Sequence, residues 1–290
     1  MSLRFSGLVP PTITALVRSK LAPPAHGECI VRVPACSATS QDNAITIRLA
    51  DSNGRRNAAN MLLSRMYSWR GYGGRHSVPV TPNCVTFTAS LDRELIGTLT
   101  LTVDSPAGLA AERTFPEDIK QYREAPGAKV CELTKFAFDW SGPSRQHLAA
   151  LFHIVFLYGS SHFDCTDLFI EVNPRHRRYY EAMLGFTPVG PLRTNQSVDA
   201  PSQLMWLNVG EIRSLIERHT APGSVSQRSL YRDFFSPGEA AGIFARLTGK
   251  RPSMHQARDG ARSDDGFLGG KQPPRPLLSR LMGRNALNII

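Results

Sequence analysis

The spacing of apolar and polar residues changes several times along the chain, and each change marks an element. Ala44–Leu49 alternates with period two, the pattern of a half-buried strand. Asp51-Ser52-Asn53-Gly54 reads as a turn or cap. From Arg55 to Tyr67 the apolar residues return at helical spacing, which predicts a helix with Met61, Leu62 and Met66 turned inward. A loop over 71–82 leads to two strands, Cys84–Ser90 and Leu95–Asp104, joined as a hairpin around Leu91-Asp92-Arg93-Glu94. Phe115–Glu124, with Pro116 near its start, predicts a short helix. Val130–Asp139 is a further strand, and Arg145–Phe163 a strongly apolar helix. Strands near Thr187–Arg193 and Gln203–Val209 and a helix over Glu211–His219 complete the pattern.

Between these lies the most informative stretch, Phe169 to Phe186. A buried strand ends at Val172 and Asn173 follows, a residue suited to cap free amides at a helix start. Pro174 fits the first helical position, where its missing N–H is not needed. Gly185 can take the left-handed conformation that stops the helix, and Phe186 can pack back on the last turn.

The order is strand–helix, hairpin, strand–helix, strand–helix, hairpin. That predicts an α/β (α+β) protein with a mixed central sheet and helices on both faces. No internal repeat is visible. The domain reading is a loose N-terminal arm over 1–42, a folded domain over 43–219, a helical extension over 220–248 and a disordered basic tail over 249–290. Within that tail Leu277–Ile290 is expected to be frayed, with an amphipathic segment as the alternative.

Charge and cysteine content narrow the function classes. The net charge is +10, but nine Lys and Arg against three Asp and Glu lie from Arg246 onward. The remainder is close to balanced, so no nucleic-acid partner is required. The five cysteines (Cys29, Cys36, Cys84, Cys131, Cys165) form no CxxC pair and no metal spacing, and suit reduced thiols. No metal is expected. The most apolar run, Leu148–Tyr158, contains His153 and is far shorter than the ~20 residues a membrane helix needs. A cytoplasmic location follows, with membrane contact only through the tail.

Three blocks together carry a resemblance. They are Asp92–Leu101 with Asp104-Ser105 and Gly108-Leu109 after it, Cys131-Glu132-Leu133-Thr134-Lys135-Phe136-Ala137-Phe138-Asp139, and Asn173 to Phe186. Over about residues 44–210 the chain resembles the long-chain N-acyl amino acid synthases. These are a GNAT-like branch related to the acyl-homoserine-lactone autoinducer synthases. The resemblance implies a GNAT-like fold and transfer of a fatty acyl group from acyl carrier protein to the amine of an amino acid, with no tightly bound cofactor. The turn Asp139-Trp140-Ser141-Gly142-Pro143-Ser144-Arg145 has one glycine, and its proline removes an amide donor. It is poorly made to cradle a nucleotide pyrophosphate, which favours a phosphopantetheine on acyl carrier protein over acyl-CoA.

The same resemblance nominates residues. Glu132 is the candidate general base for the amine, with an ion-paired structural carboxylate as the alternative. Lys135 stands where an arginine follows in the autoinducer synthases. Strict alternation would separate it from Glu132, whereas a bulge would bring the two together. Tyr180 is the candidate acid for the leaving sulfur, and His176 lies one turn before it. Backbone amides near Phe136 are expected to polarise the thioester carbonyl. Arg175, Arg177 and Arg178 crowd a helix start against its dipole, which suggests a docking surface for an acidic carrier protein. Leu148, Leu151, Phe152, Val155 and Phe156 fall at helical spacing and would wall an acyl slot, or simply form core. Arg93 and Arg193 are both candidates for the amino-acid carboxylate. The alternatives are an autoinducer synthase, an acyltransferase linked to exopolysaccharide or protein sorting, and a non-catalytic acyl-ligand or nucleic-acid binder.

Overall fold

The computed structural model describes residues 31–33, 45–140, 145–220, 228–247 and 289. Eight strands form one sheet in the order β1-β2-β3-β4-β5-β6-β8-β7. They are β1 (Val31–Val33), β2 (Ile45–Leu49), β3 (Cys84–Leu91), β4 (Glu94–Val103), β5 (Val130–Phe138), β6 (Asp167–Val172), β7 (Thr187–Asn195) and β8 (Ala200–Asn208). Every neighbouring pair is antiparallel except β5–β6, which is parallel. A parallel neighbour needs a crossover, and helix α3 (Arg145–Leu157) supplies it. The other helices are α1 (Asn53–Ser68), α2 (Pro116–Arg123), α4 (Arg177–Leu184), α5 (Ile212–Thr220) and α6 (Pro237–Leu247).

Local chemistry sets these boundaries. Ser52 caps α1, its hydroxyl accepting from the Arg55 amide at 3.4 Å. Asp92 and Arg93 both take positive φ, +48° and +68°, and so close the β3–β4 hairpin in the sense that matches strand twist. Asn173 accepts from the Arg175 amide and starts a short 3-10 turn, Pro174–His176, from which α4 continues. Gly185 ends α4 at φ +77°. Its amide bonds to Glu181 and the next amide, of Phe186, reaches back to Tyr180, a closure that satisfies the last carbonyls.

The sheet separates two apolar layers. On one face the inward residues of β2–β6 meet α3, whose residues His147 to Phe156 are all buried. Each fully buried Leu, Ile or Phe there contributes roughly 1.5–3 kcal/mol. On the other face α1 packs Ala59, Leu62, Leu63, Met66 and Tyr67 near Ala137, while Phe115 and Ile119 cover Phe169 and Leu204.

Several expectations change. Met61 is 74% exposed, and Leu63 takes the inward place instead. This follows because the buried stripe of α1 runs through positions 59, 62, 63, 66 and 67. Val31–Val33, read as part of a loose arm, adds an edge strand to β2. The apolar helix ends at Leu157 and passes into a π-helical turn, Tyr158–His162, where Gly159 lies against Leu101. In the 220–248 extension the described part comprises a 3-10 turn, Leu230–Asp233, and α6. Phe234 stacks 4.4 Å from His153 of α3, and the Phe235 amide donates to His153 Nδ1 at 2.9 Å. The disorder expected for 249–290 and the frayed or amphipathic segment lie outside the described residues, Ile289 excepted.

Candidate active site

The parallel pair β5–β6 holds together for only part of its length. Its register runs from Val130↔Asp167 to Leu133↔Ile170 and stops there. Beyond that point β6 stays attached to β8 through Glu171↔Leu204 and Val172↔Gln203. Strand β5 stays attached to β4 through Thr134↔Thr100, Ala137↔Thr98 and Phe138↔Gly97. Each strand follows its outer neighbour, so a gap opens between them.

A bulge lies at the same level. Lys135 and Phe136 oppose Leu99 alone, and Lys135 is held at φ +52°, in the left-handed region. A non-glycine residue there carries strain of order 1–3 kcal/mol, which persists only where the surroundings impose it. The bulge resets the alternation, so Leu133 and Phe136, three residues apart, both enter the α3-side core. Neither Lys135 nor Phe136 has a ladder partner on β4 or β6.

Tyr180 of α4 is fully buried, and among the described residues its hydroxyl has no hydrogen-bond partner. Burial and the neighbouring Tyr179 and Tyr67 hydroxyls raise its pKa well above the usual phenol value, so it stays protonated. Tyr67 of α1, from the opposite face, donates to the Ile289 carbonyl at 2.7 Å and lies 3.4 Å from the Phe136 carbonyl. Arg70 acts electrostatically on both tyrosines, and burial lowers its own pKa. Tyr67 and Arg70 escaped the sequence reading. Tyr67 lies in the last turn of α1 and Arg70 just past its end, where the Arg70 amide bonds back to the Tyr67 carbonyl at 3.0 Å.

Glu132 lies on the paired half of β5 and is 2% exposed. Its two oxygens accept from the amides of Ala110 and Ala111, at 2.6 and 3.0 Å, at the start of the 3-10 turn Ala110–Arg113. The expected pairing with Lys135 is not made, although the bulge exists: the backbone amides take the carboxylate instead. Burial dominates and pushes its pKa up to about 7, against the two amide bonds that lower it; the charges of Glu171 and Glu112 add to the rise. Burial lowers the pKa of Lys135, while Glu132 opposes that shift. Glu171, two residues beyond the register partner of Glu132, is likewise buried and accepts from Ser202 at 2.6 Å and Asn195 at 2.8 Å.

The remaining candidates are spread out. Arg175, Arg177 and Arg178 line an open pocket of about 550 Å³ with Pro174, Glu181, Leu192 and Gln203. Arg177 is paired to Glu181 at 2.6 Å. Arg175 and Arg178 form no ion pair among the described residues. His176, one turn before Tyr180, is buried. Phe152 and Phe156 are core: Phe152 packs 5.4 Å from Phe136, and the cavity beside Phe156 holds about 10 Å³. That is room for one water at most, which needs roughly 10–15 Å³ on this measure, and therefore no acyl slot in this form. Arg193 is already engaged with Asp118 at 2.8 Å and the Thr114 carbonyl at 2.7 Å, whereas Arg93 sits exposed in the hairpin turn. Of the turn expected to meet the donor phosphate, residues 141–144 lie outside the described set. Among the described residues no group of side chains could hold a metal ion, and no helix is long and apolar enough to cross a membrane.

A mixed sheet with helices on both faces, a splayed parallel pair and a bulge beside the splay define a GNAT-like acyltransferase. The family model described as N-acyl amino acid synthase FeeM matches residues 58–208, and the chain belongs to that family. It is an N-acyltransferase. The solved structure of FeeM, an N-acyl amino acid synthase from uncultured soil microbes, is 28% identical, with a TM-score of 0.55 over 59% of this chain and 95% of that one. The acyl-homoserine-lactone synthase LasI aligns at 14% identity and a TM-score of 0.44, over 58% of this chain and 91% of that one. An N-acetyltransferase from Staphylococcus aureus Mu50 aligns at 14% identity and a TM-score of 0.39, over 57% and 97%. No curated protein sequence matches the chain.

Proposed function

We propose that the protein moves a long-chain fatty acyl group from acyl carrier protein to the amine of an amino acid, and that the β5–β6 gap is where the two substrates meet. The observation that carries this reading is the Tyr180 hydroxyl, buried and without a hydrogen-bond partner among the described residues, within electrostatic reach of Tyr67, whose own hydroxyl lies at the open end of the β5–β6 pair. A buried polar group without a partner costs of order 1–3 kcal/mol, so a substrate atom that supplies one gains that much.

The chemistry follows from the groups present. The amine nitrogen attacks the thioester carbonyl carbon, the carbon–sulfur bond breaks, and an amide and a free thiol result. The nitrogen loses one proton and the sulfur gains one. Backbone amides at the Lys135–Phe136 bulge, where the β5–β6 register has already ended, polarise the carbonyl. Tyr180, held protonated, supplies the proton to the thiolate. Glu132 is the proton acceptor for the amine. A pKa near 7 suits a base at neutral pH, and two amide donors occupy only two of about four acceptor positions on a carboxylate. Arg70, facing both tyrosines, takes the amino-acid carboxylate in place of Arg93 and Arg193. Lys135 adds positive charge at the bulge, and the buried His176 supports the start of α4.

The open pocket of Arg175, Arg177 and Arg178 is the docking surface for the carrier protein. Arg175 and Arg178, which form no ion pair among the described residues, attract an acidic protein and steer its approach. Phe152 and Phe156 form the floor of the gap through Phe136. The acyl chain enters by displacing this packing rather than filling an existing cavity.

Lipid extracts of a bacterial host expressing the chain, analysed by mass spectrometry, test the proposal. New N-acyl amino acids are expected with the wild type and absent with Tyr180→Phe. Purified acyl carrier protein and coenzyme A thioesters of equal chain length then separate the donors. Faster turnover with the coenzyme A form overturns the carrier-protein assignment.

A further inference from the structure

Ile289 is fully buried although it follows a long polar stretch of sequence. Its backbone bridges antiparallel to Val172 on β6. Its carbonyl accepts from Tyr67 across a separation of 222 residues along the chain. Val172 is two residues past the last β5–β6 pair, and the same Tyr67 hydroxyl lies beside the Phe136 carbonyl of the β5 bulge. Ile289 is therefore tied to both diverging strands, and it sits in the gap between them. An unpaired strand edge readily takes up extended backbone, and a β-branched side chain suits that setting.

A pantetheine arm is also an extended chain that carries amide N–H and carbonyl groups. A slot that holds one peptide unit by an edge strand and a phenolic donor has the chemistry to hold such an arm. We infer that Ile289 is a self-occupant of the donor gap: its peptide unit stands where the amide-bearing arm of the acyl donor lies, and donor binding expels it. The inference rests on the reading of the gap as the donor site. Its consequence is competition. The donor's apparent affinity is reduced by the fraction of molecules in which Ile289 fills the gap. Turnover at saturating donor is unaffected, because every gap is then emptied.

Ile289→Gly in the full chain tests this. Loss of the buried side chain removes the apolar burial that keeps this residue in place, so the gap stands open more often. With S-dodecanoyl-pantetheine as donor, the KM is expected to fall about tenfold relative to wild type, with kcat and the amino-acid KM unchanged, the pattern of removing a competing closed state. An equal or higher KM overturns the inference. The unaltered chain provides a second measurement that needs no variant. Saturating S-dodecanoyl-pantetheine is expected to speed tryptic cleavage after Arg284; cleavage unchanged or slowed by the thioester also overturns it. If neither protein makes an N-acyl amino acid, the reaction assignment fails, while the protease result still decides whether the thioester displaces Ile289.

Discussion

The two halves of the β5–β6 pair follow opposite rules. In the first half, four register pairs close the ladder, and the one buried carboxylate that faces away from the α3 core, Glu132, is bonded by two backbone amides. In the second half the ladder is missing, Lys135 is held in a strained conformation, and the Tyr180 hydroxyl has no partner among the described residues. The same strands, a few residues apart, thus pass from complete satisfaction to deliberate lack of it. The first half is closed by its own strands, and the second by Ile289 of the same chain, from the far end of the sequence.

The largest break in that comparison comes from Tyr180→Phe. Removal of a hydroxyl that bonds nothing among the described residues should leave the melting temperature near wild type. It should lower kcat by roughly 10²–10³-fold if the hydroxyl is the acid, within the usual range for such groups. A kcat within a factor of two removes Tyr180 from the mechanism.

Glu132→Ala acts on the satisfied half and, unlike Tyr180→Phe, should cost stability as well as turnover, because the carboxylate is both bonded by two amides and the proposed base. Two amides lose their acceptor, so the expected loss of stability is roughly 3 kcal/mol, read from denaturant unfolding. The pH dependence sharpens the point. The folded protein holds the Glu132 proton up to about pH 7, above the ordinary carboxylate value of 4.5. Between those values the folded state binds more protons than the unfolded one. Stability from this group therefore falls as pH rises from about 4.5 to 7, by about 3 kcal/mol, and is level above. Glu132→Gln should flatten that segment of the stability curve. An unflattened curve would assign the dependence to another group.

Smaller effects separate the two arginine sets. Arg70→Gln should raise the KM for the amino acid about tenfold, roughly the 1.4 kcal/mol of one charged contact, and leave the donor KM alone. Reversal of charge at Arg175 and Arg178 should raise the KM for acyl carrier protein by about the same factor, flatten its dependence on salt, and leave the amino-acid KM unchanged. Exchange of these two outcomes would exchange the two sites.

The elements themselves were legible along the chain because their signals are local. Alternation marked β2, turn residues between apolar runs marked the β3–β4 hairpin, and Asn173, Pro174 and Gly185 marked the start and stop of α4, since caps depend on neighbours within one turn. The residues nominated for the site, Glu132, Lys135, Phe136 and Tyr180, came from local motifs too. What bonds to them was not. Glu132 is claimed by Ala110 and Ala111, more than twenty residues upstream, and periodicity carries no trace of such a partner. Which side of α1 faces inward, and hence that Met61 is exposed while Tyr67 reaches the gap, depends on how the helix is rolled against the sheet. The gap exists only because β5 and β6 each follow a different outer neighbour, and Ile289 enters it from the far end of the sequence. Pairing of distant segments is decided by packing of the whole sheet, and that is the part of this protein that only the tertiary structure determines.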